Sequence, residues 1–315
     1  MSNVPTDIHP HLRALAEAAA GKPSLADTTP EQARAGMAAR TASRPRGPEI
    51  ERVFDLRISH ADGELPVRVY RPANPHGVAL AFHGGGWLMG NLDSFDATCR
   101  YLAAESGLAI VNVDYRLAPE HLFPAAADDA WTAATWVAAH GQEHDLPAER
   151  LAVLGESAGG NLAAGLCLRA RDEGGPRILA QVLIYPATDA RQQSASMKQY
   201  ANGYGQRSAD VTHAFNNYGL GRTAKVDDWR LSPLLAASHA DLPPALVITA
   251  ECDVVRDDGE AYAARLAEAG VSATCVRYAG MLHTFFGMRG QLDAAATAQR
   301  QAADALRTAA QSAMR

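Results

Sequence analysis

The chain has 315 residues, 47% of them apolar and 20% charged, with a formal net charge of −6. That balance describes a globular protein, and the positive residues are scattered, so no basic stripe for nucleic acid and no polybasic cluster for a membrane surface is present. No uninterrupted apolar stretch is long enough to span a bilayer, and the N-terminus lacks the basic and apolar regions of a secretory signal, so stable membrane insertion is not expected and a reducing cytoplasm is the default location. The four cysteines, Cys99, Cys167, Cys252 and Cys275, lie far apart without a CxxC pair and read as thiols.

Residues 1–48 are alanine-rich and helical in pattern, broken by Pro23, Pro30, Pro45 and Pro48. Leu12, Leu15 and Ala19 recur at helical spacing, giving a face that can dock. "TASRPRGPE" reads as a linker. "VFDLRIS" and "LPVRVYR" then alternate about "HADGE", the pattern of a hairpin. Apolar runs and helical stretches follow in turn: "VALAFH" and a helix over 95–106, "LAIVNVDY" and a helix over 125–140, "RLAVLGE" and a helix over 158–171. After these come "AQVLIYP", then "PALVITAE" with a helix over 257–269, and "ATCVRYA" with a helix over 292–310. This alternation predicts an α/β protein: a mostly parallel sheet with helices on both faces and the hairpin at one edge. Residues 190–230 interrupt the rhythm and are too long for a simple connection, so they read as an inserted lid. Four segments follow: N-terminal cap helices over 1–48, core over 49–189, cap insertion over 190–230 and core over 231–315.

Chemistry concentrates at strand ends. Gly155-Glu156-Ser157-Ala158-Gly159 is a G-x-S-x-G between a strand and an alanine-rich helix, the context in which the serine sits on a sharp turn as a nucleophile. In that turn a side chain at either glycine would collide with the neighbouring strand and helix. A serine hydroxyl needs a base, and the base needs a carboxylate to orient it. Asp253 follows one later strand and His283 the next, so the order is Ser157, Asp253, His283. Asp257 and Asp258 read as the start of the following helix, and His121, His140, His144 and His213 have no strand end before them. "HGGG" at residues 83–86 also follows a strand. Glycine is entropically costly, but bare backbone N–H groups can approach a developing oxyanion, and one such donor is worth on the order of 3 kcal/mol. Gly84, Gly85 and Ala158 are therefore the candidate oxyanion-hole donors, with His83 supporting the loop. Trp87-Leu88 stands where a phosphate loop would carry Lys-Ser/Thr. No metal-ligand spacing occurs.

"HGGGW", "VDYRLAPEHLFPAAADDA", "GESAGGNLA", "LPPALVITAECDVVRDDGEAYAARLAEAG" and "GMLHTFF" fall in an order and spacing that resembles the hormone-sensitive lipase-like esterases of the α/β hydrolases, over roughly residues 50–310. The resemblance implies an eight-stranded mixed sheet, a cap from the N-terminal helices and an insertion, Ser157, Asp253 and His283 as triad, and a homodimer paired through the last edge strand. Three positions depart from the family pattern: Glu156 stands where Asp is usual, Asp253-Val254-Val255 for Asp-Pro-Leu, and His283-Thr284-Phe285 for His-Gly-Phe. None removes a catalytic group. The expected activity is cofactor-independent hydrolysis of a small-molecule ester, with Glu156 in a supporting role. Amidase or deacetylase activity with the same triad is the alternative, since fold and triad do not fix the leaving group. A non-catalytic receptor on this fold is disfavoured because His283 is present. Trp87, Tyr200, Tyr204, Phe215 and Phe285 are the bulky candidates for a pocket wall that limits acyl length.

Overall fold

The computed structural model describes residues 8–60 and 62–313. Residues 1–7 of the expected cap, Ala61 in the hairpin turn and residues 314–315 lie outside the described residues. Two helices come first, α1 (Pro10–Ala19) and α2 (Pro30–Ala42). Pro30 opens α2 instead of breaking it: proline lacks only an N–H that the first helical turn leaves unbonded, and Thr29 and Gln32 close a capping box around it. The buried face of α1 is Leu12 and Ala16, with Ile8 buried just before it, not the expected Leu12, Leu15 and Ala19, and Leu15 is 44% exposed. The His9 N–H donates to the Gly280 carbonyl at 2.9 Å, which ties the start of the helix to the end of the last strand in the chain.

The hairpin forms as expected from β1 (Arg52–His60) and β2 (Gly63–Arg71), antiparallel throughout. There follow β3 (Val78–Phe82), α3 (Asp96–Ser106), β4 (Ala109–Val113), α4 (Ala125–His140), β5 (Leu151–Glu156), α5 (Ala158–Asp172) and β6 (Ile178–Ile184). The interval 190–230 holds α6 (Ala195–Gln199) and α7 (Ser208–Tyr218), and the chain closes with β7 (Ala245–Cys252), α8 (Arg256–Glu268), β8 (Ala273–Leu282) and α9 (Asp293–Ser312). One eight-stranded sheet results, in the order β1-β2-β4-β3-β5-β6-β7-β8, antiparallel at β1-β2-β4 and parallel from β4 to β8. Every residue of β3 and β4 is buried, as strands covered on both faces must be. Helices pack in two groups, α3 with α9 and α4 with α5, while α8 covers β7 and β8. Cys99, Cys167 and Cys252 are buried and Cys275 is exposed, and none of the four is in a disulfide. Among the described residues no helix is long and apolar enough to cross a membrane.

Polar contacts hold the N-terminal segment to the interval 190–230 and to the core. Buried Asp210 accepts from the Ser24 hydroxyl and, at 2.9 Å, from the Ala26 N–H, and Arg207 pairs with Asp27 at 2.7 Å. Arg34 donates to the Leu88 carbonyl at 2.8 Å and the Ala118 carbonyl at 3.0 Å, and also pairs with Glu120. This clamp fixes α2 above the loop that follows β3.

The tightest approach of elements is at the start of α5. A Cβ on Gly159 would lie 2.0 Å from the Phe82 carbonyl oxygen, whereas one on Gly165, in the same helix, would meet nothing closer than 3.6 Å. Gly159→Ala is expected to cost about 3 kcal/mol or more, because backbone must move. Gly165→Ala is expected to stabilise by roughly 0.5–1 kcal/mol through lower unfolded-state entropy and better helix propensity. Urea denaturation of the two variants beside the parent checks the opposite signs.

Candidate active site

Strand β5 ends at Glu156 and α5 begins at Ala158, so the whole reversal falls on Ser157, at φ 56° and ψ −114°. A non-glycine residue there is strained and persists only where the surroundings over-determine it. They do so here. The Ser157 N–H donates to the Ile184 carbonyl at 2.9 Å and its carbonyl accepts from the Asn161 N–H at 3.0 Å. A Cβ on Gly155 would lie 2.0 Å from the Gly159 carbonyl oxygen, so both flanking glycines are needed for the reason expected.

Asp253 follows β7 and is buried. Its Oδ1 accepts the Val255 N–H at 3.1 Å, and its Oδ2 lies 2.7 Å from His283 Nδ1. His283 follows β8, and its Nε2 lies 2.9 Å from Ser157 Oγ. A hydrogen-bonded line therefore runs from carboxylate through imidazole to hydroxyl. Tyr185 packs its ring 4.5 Å from that of His283 and limits its tilt. The competitors are engaged elsewhere: Asp257 pairs with Arg256 at 2.7 Å and accepts the Ser196 N–H at 2.8 Å. His140 and His144 pack against Trp136. Thr284, where the family pattern has glycine, takes φ 74°.

The Gly84, Gly85 and Ala158 N–H groups find no acceptor among the described residues. Gly85 is at φ 124°, and a Cβ there would sit 2.1 Å from the Met89 carbonyl oxygen, so the loop can close only on glycine. His83 underpins it. The His83 ring is buried, hydrogen-bonded through Nδ1 to the Gly84 carbonyl at 2.8 Å and stacked 4.3 Å from Tyr115, whose hydroxyl donates to the His83 carbonyl at 2.7 Å. Glu156 accepts the Tyr185 hydroxyl at 2.8 Å, and burial pushes its carboxyl above the usual range.

Ser157, His283, Glu156 and Gly84 to Gly86 share a cavity of about 270 Å³. Its remaining wall includes Leu25, Met37, Arg40, Arg44, Gln206, Ala214 and Met288. None of the five bulky residues expected there lines it. Trp87 is stacked 4.6 Å from Tyr218 and packs on Phe215, Phe285 is buried between Tyr185 and Tyr278, and Tyr200 packs edge-on to Tyr204 while its hydroxyl accepts from Arg256. Aromatic bulk went into the core because burial of large apolar area is its main use. The actual wall is mixed: Leu25, Met37, Phe95, Ala214 and Met288 join the polar Arg40, Arg44 and Gln206, and the apolar ones come from distant elements and carry no local signal. Arg40 and Arg44 did carry one: neither has an acid one helical turn away. Among the described residues no group of three or more His, Cys, Asp or Glu is arranged to hold a metal ion.

His83 Nε2 is buried without a partner among the described residues. Burial pushes the His83 pKa from 6.5 down to about 4, against the opposing hydrogen bond to Gly84. The unfolded chain thus takes up this proton at higher pH than the folded one. Stability from this residue is complete above pH ~6.5 and is lost as the pH falls towards ~4, a loss of order 3 kcal/mol. Urea midpoints at pH 7 and pH 4.5 should show that slope in the parent and a shallower one in His83→Gln.

Residues 79–287 match the profile of a family described as having the alpha/beta hydrolase fold. Carboxylic ester hydrolase LipN of Mycobacterium tuberculosis is 43% identical over 265 residues, covering 81% of this chain and 70% of the relative. An ethyl acetate hydrolase of Pseudomonas putida is 39% identical over 249 residues, 76% of this chain and 77% of its own. Among solved structures, a thermostable esterase from Pseudomonas putida superposes with a TM-score of 0.90 at 38% identity, over 96% of this chain and 98% of that one. With its strand order, its elbow serine and these relatives agreeing, the chain belongs to the hormone-sensitive lipase-like branch of the α/β hydrolases, a family of carboxylic ester hydrolases.

Proposed function

We propose that this chain is a serine carboxylesterase for short- to medium-chain acyl esters, working through Ser157, His283 and Asp253. The observation that carries the reading is the hydrogen-bonded line of 2.7 Å and 2.9 Å through the two nitrogens of His283. Because Asp253 accepts from Nδ1–H, Nε2 is left as the lone-pair nitrogen that can take the Ser157 proton. Ser157 attacks the ester carbonyl, and negative charge develops on the carbonyl oxygen. The N–H groups of Gly84, Gly85 and Ala158, with no acceptor among the described residues, are the donors for that charge. The tetrahedral intermediate collapses, and His283 gives its proton to the departing alcohol. Water then enters, His283 takes its proton, and the hydroxide attacks the acyl-enzyme carbonyl. Collapse of the second intermediate expels Ser157, which is reprotonated by His283, and releases the acid. Asp253 stabilises the imidazolium formed in each half.

The N-terminal segment and residues 190–230 act as cap: Leu25, Met37, Gln206 and Ala214 come from them and close the cavity over the nucleophile. A walled space of about 270 Å³ suits a short acyl chain, and the relative named for ethyl acetate points the same way.

Ser157→Ala should fold like the parent and lose all but a trace of kcat on an aryl ester. Asp253→Asn should lose on the order of 10⁴-fold, the scale of the analogous change in a serine protease, while Asp257→Asn should change little. A reversed pattern at the two aspartates moves the acid to Asp257. Across a series of aryl esters, kcat/KM should peak at roughly four to eight acyl carbons. Each buried methylene adds up to ~0.8 kcal/mol until the wall must be displaced. A series still rising at palmitate contradicts the closed pocket.

A further inference from the structure

The cavity over Ser157 is lined by two arginines that form no ion pair with any described residue. Arg40, in the last turn of α2, and Arg44, just past it, both line that cavity. Other arginines around this face are paired: Arg34 with Glu120, Arg46 with Glu49, Arg68 with Asp55 and Asp93, Arg100 with Asp96, and Arg289 with Glu105. Arg40 and Arg44 have no ion pair and no side-chain hydrogen bond among the described residues.

Their placement is built. The Arg40 guanidinium lies back over Gly36, where a Cβ would come within 3.4 Å of its Nη1, and that of Arg44 lies over Gly287, where a Cβ would come within 3.3 Å. Arg40 is exposed and Arg44 half-buried, and like charges four residues apart cost folding free energy. The carboxyl on this cavity is that of Glu156, which is occupied by the Tyr185 hydroxyl. Burial pushes its pKa up, against the pull of Tyr185, His283 and Arg44, so it is a poor counter-ion. Arg44 also lines a neighbouring cavity of about 700 Å³, which shares Thr41, Ser94 and Gly287 with the first. A group bound to Arg44 therefore stands where the two meet, with room for substrate on either side.

We propose that the substrate is an ester carrying a carboxylate, which Arg40 and Arg44 bind at the junction of the two cavities. The proposal rests on the esterase reading above. Guanidinium planes suit carboxylates because two parallel N–H donors match two oxygens, and a carboxylate there would supply the missing countercharge.

The test compares monoethyl adipate with ethyl hexanoate, by ethanol release, for the parent, the double variant R40Q/R44Q and the control Arg265→Gln, an exposed arginine of α8 that lines neither cavity. The ratio of kcat/KM, anionic over neutral, should fall at least tenfold in the double variant, mainly through KM, and stay put in the control. In the parent the same ratio should fall as salt rises from about 20 mM to about 0.5 M, a readout that needs no variant. Equal losses on both esters, or a ratio unmoved by salt and by the double substitution, overturn the carboxylate assignment and leave the esterase reading standing. A parent inactive on both esters and on phenyl acetate overturns both.

Discussion

The site depends on one close approach. At the start of α5 the helix backbone comes so near the end of β3 that position 159 has no room for a Cβ, and the turn before it holds Ser157 at a positive φ. That crowding raises the serine hydroxyl clear of the sheet and leaves the first N–H of α5 beside it. It also brings the end of β3, and so the glycine loop, to the same spot. The strain of one residue is held by the many backbone contacts of strands buried on both faces, which cannot shift without losing close packing.

Around that point the parallel sheet performs a second task. Strands β5, β7 and β8 all end on the same edge, so the residues that follow them converge although they are far apart in the chain. Asp253 and His283 are thirty residues apart and His283 and Ser157 more than a hundred, yet two hydrogen bonds join them. Burial of Asp253 and packing of Tyr185 on the imidazole hold this geometry without substrate. His83, kept neutral by burial, gives the glycine loop a fixed hydrogen bond to the Gly84 carbonyl and a flat surface stacked on Tyr115.

The roof is polar in its fastening and mixed in its lining. Asp210, Arg207 and Arg34 tie three segments together through directed bonds, and this fixes where Met37 and Arg40 on α2, and Arg44 just past it, stand at the cavity. The neighbouring arginines Arg34, Arg68 and Arg100 are all paired with acids, whereas Arg40 and Arg44 have no ion pair among the described residues.

From the sequence alone came the element types, the sheet class, the elbow at Ser157 and the places of Asp253 and His283 just past their strands. Each of these is written locally: apolar runs of strand length, alanine-rich helical stretches, glycines at a strand-to-helix turn, and polar residues just past strand ends. The rotation of α1, the true cavity wall and the use of the five large aromatics were decided by tertiary structure. Leu15 and Leu12 look alike in a helical pattern, and packing of α1 on the core, with Leu12 inside and Leu15 out, chooses between them. Trp87 and Phe285 were expected at the wall because they are large and near the motifs, but the core offered them more buried area than a cavity could. Leu25, Met37 and Ala214 reach the site from elements whose places depend on long-range bonds such as Ser24 to Asp210. Local pattern determines what an element is, whereas which of its faces meets the site is determined by packing between residues that the sequence holds far apart.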